Sequence, residues 1–260
     1  MYRGAVFFDY DGTLADEANE IFLPTKETMR TVKKLREDGY AIFLATGRSK
    51  CYIPDVPDMF DGYVAANGAY FEINGEVISS HLLDEEIVGE LASEFERMNL
   101  EYSFESQEAL YVRNVKSESF IDMLNVFKIP LDIMKPYDEK NNVCKGIVIF
   151  NNDEEFNYLK LRFSDRAVFD RHRTYNSSDV SVFGVNKGVG VREVIETLKI
   201  PYENTYAFGD GTNDVEMIKA VRHGVAMGEC VQAARDAAEY VTDTVINEGI
   251  TKAFIYYGCI

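Results

Sequence analysis

The chain has 260 residues, 46% of them hydrophobic, enough for one large domain or for a core with an inserted second one. Its 27 basic and 44 acidic residues give a net charge of −17, which argues against nucleic acid and anionic membranes as partners, since their phosphates demand a basic surface. No stretch reaches the roughly 18 continuous apolar residues of a membrane helix, and Cys51, Cys144, Cys230 and Cys259 show neither C-x-x-C spacing nor a secretory leader before them, so unpaired thiols and a cytoplasmic location are expected.

Ala5-Val6-Phe7-Phe8 is a short apolar run of β-formers, the pattern of a strand buried on both faces of a parallel sheet. It runs into Asp9-Tyr10-Asp11-Gly12-Thr13-Leu14, so two carboxylates stand two residues apart where a strand breaks into a glycine turn. Ligands of open α/β sheets bind at this carboxyl edge, and an acid there must be exposed in a crevice or compensated by a cation. Residues 24–38 carry Met29, Val32 and Leu35 at helical spacing, and Gly39 stops the pattern. A second buried strand, Ala41-Ile42-Phe43-Leu44-Ala45, delivers Thr46-Gly47-Arg48, and the strand-helix-strand order makes the two strands parallel. After a loop holding Pro54 and Pro57 come a strand over 62–66, then Asn67-Gly68, then a hairpin of 70–73 and 77–78 around Asn74-Gly75.

Residues 84–98 read as a helix with Ile87, Leu91 and Phe95 on one face. Strand-like 101–104 and 110–113, helical 117–127, strand-like 145–150, helical 153–163 and strand-like 166–169 and 179–183 follow. Two helix-strand units on a mainly antiparallel sheet is the natural architecture for that order. Arg113, Lys116, Arg171 and Arg173 are candidate contacts to a polar substrate in this region. Lys187 then opens a helix whose Val189, Val191, Val194, Ile195 and Leu198 form one buried face. The strand Thr205-Tyr206-Ala207-Phe208 delivers Gly209-Asp210-Gly211-Thr212-Asn213-Asp214. Strands near 223–226 and 239–241 alternate with helices near 213–220 and 230–236, and a short helix begins near 247. His81, His172 and His223 have no metal-ligand spacing and read as structural or exposed.

Taken together, four of these segments resemble the haloacid dehalogenase superfamily of aspartate-nucleophile phosphotransferases. Asp9-Tyr10-Asp11-Gly12-Thr13 looks like its first motif, Thr46-Gly47-Arg48 its second, Lys187 its third, and Gly209-Asp210 with Asn213-Asp214 its fourth. Asn67-Gly68-Ala69 and Gly224-Val225-Ala226-Met227-Gly228 are similar to the Cof-type branch, subfamily IIB. The resemblance spans residues 3–249 and is weakest over 83–183, where no motif is found. It departs at Gly228-Glu229-Cys230, where the branch usually has Gly-Asn-Ala. The resemblance implies an α/β fold: a Rossmann-like parallel-sheet core over 1–82 and 184–260, with an α+β cap of the C2B type over 83–183 that selects the substrate.

It also implies a Mg2+-dependent phosphomonoester hydrolase working on a small, sugar-like phosphorylated metabolite. Mg2+ is hard, prefers oxygen and takes one or two carboxylates beside a substrate phosphate oxygen. Asp9 and Asp210 are the implied direct ligands, with the backbone carbonyl of Asp11 as a further one and Asp214 in the outer shell. Asp9 would attack phosphorus to give an aspartyl-phosphate, and Asp11 would act first as general acid and then as general base. Lys187, Thr46 with Gly47, and Asn213 would stabilise the phosphoryl oxygens, Arg48 would contact phosphate or pair with an acid, and Asn67 would meet the leaving group. A phosphomutase with the same Asp pair, and a noncatalytic sensor of phosphorylated ligands, are the alternatives. Residues 84–183 show no second anion site of the kind a mutase needs, and a sensor would have lost Asp9, Asp11, Lys187 or Asp210. Oligomeric state leaves no trace in the sequence.

Overall fold

The computed structural model describes residues 2–56, 59–138, 142–172 and 175–260. Two compact units divide the chain: residues 1–47, 55–79 and 186–260 form the first, and 48–54 with 80–185 form the second. The sequence places its boundaries at 82/83 and 183/184, whereas the compact units divide at 79/80 and 185/186 and the second also takes in 48–54.

The first unit begins with β1 (Gly4–Phe8), α1 (Lys26–Glu37), β2 (Tyr40–Ala45), β3 (Gly62–Ala65), β4 (Tyr70–Ile73) and β5 (Glu76–Ser80). The second contains α2 (Glu85–Arg97), β6 (Glu101–Glu105), β7 (Leu110–Val112), α3 (Glu118–Val126), β8 (Met134–Pro136), β9 (Lys145–Ile149), α4 (Asp153–Arg162), β10 (Ala167–Arg171) and β11 (Ser177–Val182). The chain then returns to the first through α5 (Lys187–Leu198), β12 (Thr205–Gly209), α6 (Val215–Ala220), β13 (His223–Ala226), α7 (Gln232–Ala237), β14 (Tyr240–Val241) and α8 (Gly249–Tyr256).

In the first unit the strands run in the order β14-β13-β12-β1-β2-β3-β4-β5. Every pairing from β14 to β3 is parallel, and β4 joins antiparallel to β3. All residues of β1 and β2 are buried, as the unbroken apolar runs require of strands covered on both faces. Phe7 stacks on Phe43 with ring centroids 5.3 Å apart. The hairpin between β4 and β5 turns on Asn74 and Gly75, both at positive φ, the backbone that Asn-Gly adopts in a two-residue turn.

Helix α1 differs from expectation in one respect. Met29 is 43% exposed, while Thr28, Thr31, Val32 and Leu35 make its buried face. The threonines replace apolar residues because α8 meets them with polar groups: Thr31 Oγ1 lies 2.8 Å from Thr251 Oγ1, and Thr28 donates to Glu248. Buried hydroxyls are tolerated when paired in this way.

The second unit carries its own sheet, β10-β11-β9-β6-β7-β8, antiparallel except for β7 with β8. One apolar cluster joins α2 and α4 to one face through Leu91, Phe95, Phe104, Val148 and Leu159. A second joins α3 to the other face through Phe120, Met123, Val112 and Ile147, and includes Tyr52 from the 48–54 segment. Among the described residues no helix is long and apolar enough to cross a membrane, and the four cysteines are unpaired.

Candidate active site

Asp9 is the first residue past β1, held by its backbone N–H to the Phe208 carbonyl of β12 at 2.9 Å. The residue is buried, 6% exposed. Lys187 opens α5 and is completely buried. Its Nζ donates to Asp9 Oδ1 at 2.5 Å and to Asp214 Oδ1 at 2.6 Å. The other oxygen of Asp214 accepts the backbone N–H groups of Asp210 and Gly211 at 2.9 and 2.8 Å. One ammonium thus ties the end of β1 to the turn after β12.

Two glycines set the geometry. Gly12 has φ +90°, and a Cβ there would lie 2.5 Å from the Asp210 carboxyl, so this turn brings the backbone against that acid in a way no side chain allows. Thr13 adds a long hydrogen bond, Oγ1 to Asp210 Oδ1 at 3.5 Å. Gly68 ends a run of three positive-φ residues, Ala66, Asn67 and Gly68, and its missing Cβ would sit 2.1 Å from the Asn186 carbonyl. Asn186 is the N-cap of α5, accepting the Val189 N–H at 3.0 Å. The strained turn is therefore seated on the residue that aims Lys187. Ala66 is costly in this backbone region, and such strain collects at functional sites.

The same turn carries Asn67, whose backbone N–H donates to the Thr46 carbonyl at 3.0 Å. Its Oδ1 accepts from Asn213 Nδ2 at 3.2 Å. Thr46, at the end of β2, is buried. Asp9, Lys187, Asp210 and Asp214 thus form one set, and Thr46, Asn67 and Asn213 a second. Asp11 has an exposed side chain but stands close enough to Asp9 for its charge to be felt there. Arg48 begins the segment that belongs to the second unit and is partly buried. Of the basic residues expected to contact a substrate, Arg113 donates to Leu100 O and Asn99, Arg171 pairs with Asp153 at 2.6 Å, Lys116 is exposed, and Arg173 lies outside the described residues. The roles of Gly12, Thr13, Gly68 and Asn186 were not assigned from sequence. In the sequence Gly12 reads only as a turn and Thr13 and Gly68 only as motif members, while Asn186 carries the signal of an N-cap residue just before the helix.

Electrostatically the cluster is short of positive charge. Burial first, and the Asp214 carboxylate second, push the Asp9 carboxyl well above its ordinary range; Lys187 opposes them, while Asp210 and Asp11 add to the rise. Burial alone would lower Lys187, but Asp214 and Asp9 outweigh it and hold the ammonium above its usual value. Asp9, Asp210 and Asp214 can each offer an oxygen, all within 4.8 Å of one another. Three carboxylates against one ammonium in a buried site is a costly arrangement. An all-oxygen set with excess negative charge fits a hard divalent cation. Asp214 already gives one oxygen to Lys187 and the other to two backbone N–H groups, so Asp9 and Asp210 are better placed to face such an ion.

Comparison with known proteins shows the family. Residues 6–254 match the family model described as haloacid dehalogenase-like hydrolase. YkrA of Bacillus subtilis (strain 168) is 28% identical over 251 residues, 95% of each chain. The 5-amino-6-(5-phospho-D-ribitylamino)uracil phosphatase YitU of the same organism is 25% identical over 262 residues, covering 95% of this chain and 94% of that one. The solved structure of BT4131, a subclass IIB sugar phosphatase, superposes with a TM-score of 0.86 at 27% identity, over 99% of this chain and 100% of the other.

Proposed function

The chain belongs to the haloacid dehalogenase-like hydrolase family, and from that premise we propose that it is a Mg2+-dependent phosphomonoester hydrolase acting on small, sugar-like phosphates through an aspartyl-phosphate. The observation that carries the reading is the buried Lys187 ammonium clamped between Asp9 and Asp214 beside Asp210. A phosphate monoester is a dianion, and a carboxylate nucleophile can approach it only where cations cancel the repulsion. Lys187 supplies one such charge. Mg2+, held by Asp9, Asp210 and the Asp11 carbonyl, would supply the remaining positive charge for the phosphoryl oxygens.

In the first step the Asp9 carboxylate attacks phosphorus, the bond from phosphorus to the ester oxygen breaks, and Asp11 gives its proton to the departing alcohol. In the second, Asp11 takes a proton from water, the water oxygen attacks phosphorus, and Asp9 leaves as the free carboxylate with release of phosphate. The exposed side chain of Asp11 suits a group that exchanges protons twice per turnover. Lys187, the Thr46 hydroxyl, the Gly47 N–H and Asn213 serve as donors to the phosphoryl oxygens. Arg48 adds a bidentate contact and Asn67 faces the leaving group. Asp214 orients Lys187. The second unit selects the leaving group as a cap, and the sugar and ribityl phosphates named for BT4131 and YitU support a polyhydroxylated one. The four unpaired cysteines accord with a cytoplasmic location.

The test is phosphate release across sugar, polyol, nucleotide and two-carbon acid monoesters, with Mg2+ and after EDTA, beside Asp9→Asn. Release should require the metal, favour sugar or polyol esters, and fall by about three orders of magnitude or more in the variant. Release by Asp9→Asn at the parent's rate would reject the covalent route. Isomer formation that depends on a bisphosphate would favour a mutase, and ligand binding without turnover in any condition would favour a sensor.

A further inference from the structure

Thr46 and Gly47 belong to the first unit, and the next residues, 48–54, belong to the second. A buried charged cluster in the second unit holds that segment. The fully buried Ser49 hydroxyl donates to Glu105 Oε2, and the Tyr52 hydroxyl donates to the same oxygen at 2.9 Å. Lys145 Nζ donates to the Tyr52 hydroxyl at 3.1 Å and lies 3.6 Å from Glu105. Lys145 also pairs with Asp179 at 2.9 Å. Asp179 in turn meets His172 Nε2 at 3.1 Å, and His172 Nδ1 lies 2.6 Å from Ser177 Oγ. Strand register places Lys145 between Glu105 of β6 and Ser181 of β11.

Stability alone is a poor reason for such a cluster. Burying ions costs several kcal/mol each, and well-packed apolar replacements of buried pairs are often neutral or stabilising. What an apolar core could not do is fix a loop by directed bonds. The Ser49 and Tyr52 hydroxyls converge on one oxygen of Glu105, while the other oxygen, also buried, has no hydrogen-bond partner among the described residues. The hydrogen bonds of that carboxylate therefore go to the segment, and Lys145 balances its charge. Its first anchor, Ser49, stands two residues past Gly47.

We propose that Tyr52, Glu105 and Lys145 are positioning residues for the Thr46–Gly47 phosphate-binding turn, gripping the chain just beyond it and restricting its backbone. The proposal rests on the phosphatase reading above. It makes the second unit a part of catalysis through the covalent chain, beyond any contact it makes with substrate. A displacement of about 1 Å at a group that holds the reacting phosphoryl can cost roughly 10²-fold in rate.

Tyr52→Phe is the decisive variant, because it keeps the ring, and the Lys145 ammonium 5.9 Å from its centroid, and removes only the hydroxyl. Ser49→Ala removes the other anchor. Leu91→Ala, in the apolar cluster under α2, serves as a comparator that weakens the same unit without touching the charged cluster. The readouts are kcat and KM for p-nitrophenyl phosphate with Mg2+, the thermal midpoint, and hydrogen exchange in a peptide spanning residues 44–50. Tyr52→Phe and Ser49→Ala should each lower kcat by about tenfold with KM within about twofold, and should speed exchange at residues 46–49. Leu91→Ala should lower the thermal midpoint at least as much, yet keep the parent's kcat and exchange. Parental kcat and exchange in Tyr52→Phe would overturn the proposal, as would an equal loss of kcat in Leu91→Ala. If the parent itself releases no phosphate, the phosphatase reading fails, and exchange at 46–49 still decides whether the anchor holds the turn.

Discussion

Lys187 is the residue on which most of the site depends. Replacing it by methionine would leave Asp9 and Asp214 buried against each other with no cation between them. Breaking a buried pair in this way costs about 3–5 kcal/mol, so urea denaturation of Lys187→Met should show a loss of that order along with lost turnover. Gly12→Ala probes a different fault. The new methyl would press on the Asp210 carboxyl, so the proposed Mg2+ site should lose affinity roughly tenfold or more by calorimetry, and unchanged affinity would remove Asp210 from the proposed ligand set. At this scale the sequence was readable where a residue sits at the end of a periodic run. Asp9, Thr46 and Asp210 each follow an apolar strand, and their shared edge follows from that alone. Thr13 and Gly68 act through partners about 200 and 120 residues away, Asp210 and Asn186, and contacts of that range leave no local pattern.

Among the elements, the buried strands and amphipathic helices were legible because periodicity records which face is covered. Helix α1 shows the limit: Thr28 and Thr31 look polar in sequence, yet they are buried because α8 offers them hydrogen-bond partners. The approach to α8 also contains a testable titration. Asp243 accepts from the Thr244 backbone at 2.8 Å, from Asn247 at 3.1 Å and from Lys252 at 2.6 Å, and the Lys252 hydrogen bond first, then the Thr244 N–H, lower its pKa to about 2. A carboxyl depressed on folding adds stability above its unfolded value near 4 and loses it as the pH falls toward 2. The stability lost between pH 4 and pH 2 should therefore be smaller in Asp243→Asn than in the parent, and equal acid limbs would discount the bond network.

For the whole molecule, two units with separate apolar clusters imply two separable stabilities. Leu91→Ala should destabilise the second unit by about 2–5 kcal/mol, and probes reporting on different units should then melt at different temperatures. A single coincident transition would mean that the units unfold together. The division itself was legible in part. The change from strands that alternate with helices in a parallel order to a mixed middle region marks an insertion, whereas the transfer of 48–54 to the second unit depends on Glu105 and Lys145, nearly a hundred residues downstream in the latter case.

The pairing of β1 with β12 has a consequence for biosynthesis. The strand that ends at Asp9 is synthesised about 200 residues ahead of its partner on one side. At roughly 5–20 residues per second, one apolar flank of the nascent β1 waits about 10–40 seconds for its neighbour, while the described strands of the intervening unit, β6 to β11, are already made. Maturation of the enzyme should thus lag behind synthesis of its inserted half, and trigger-type chaperones that shield early apolar strands should raise the yield of active protein more than that of an isolated 80–185 fragment.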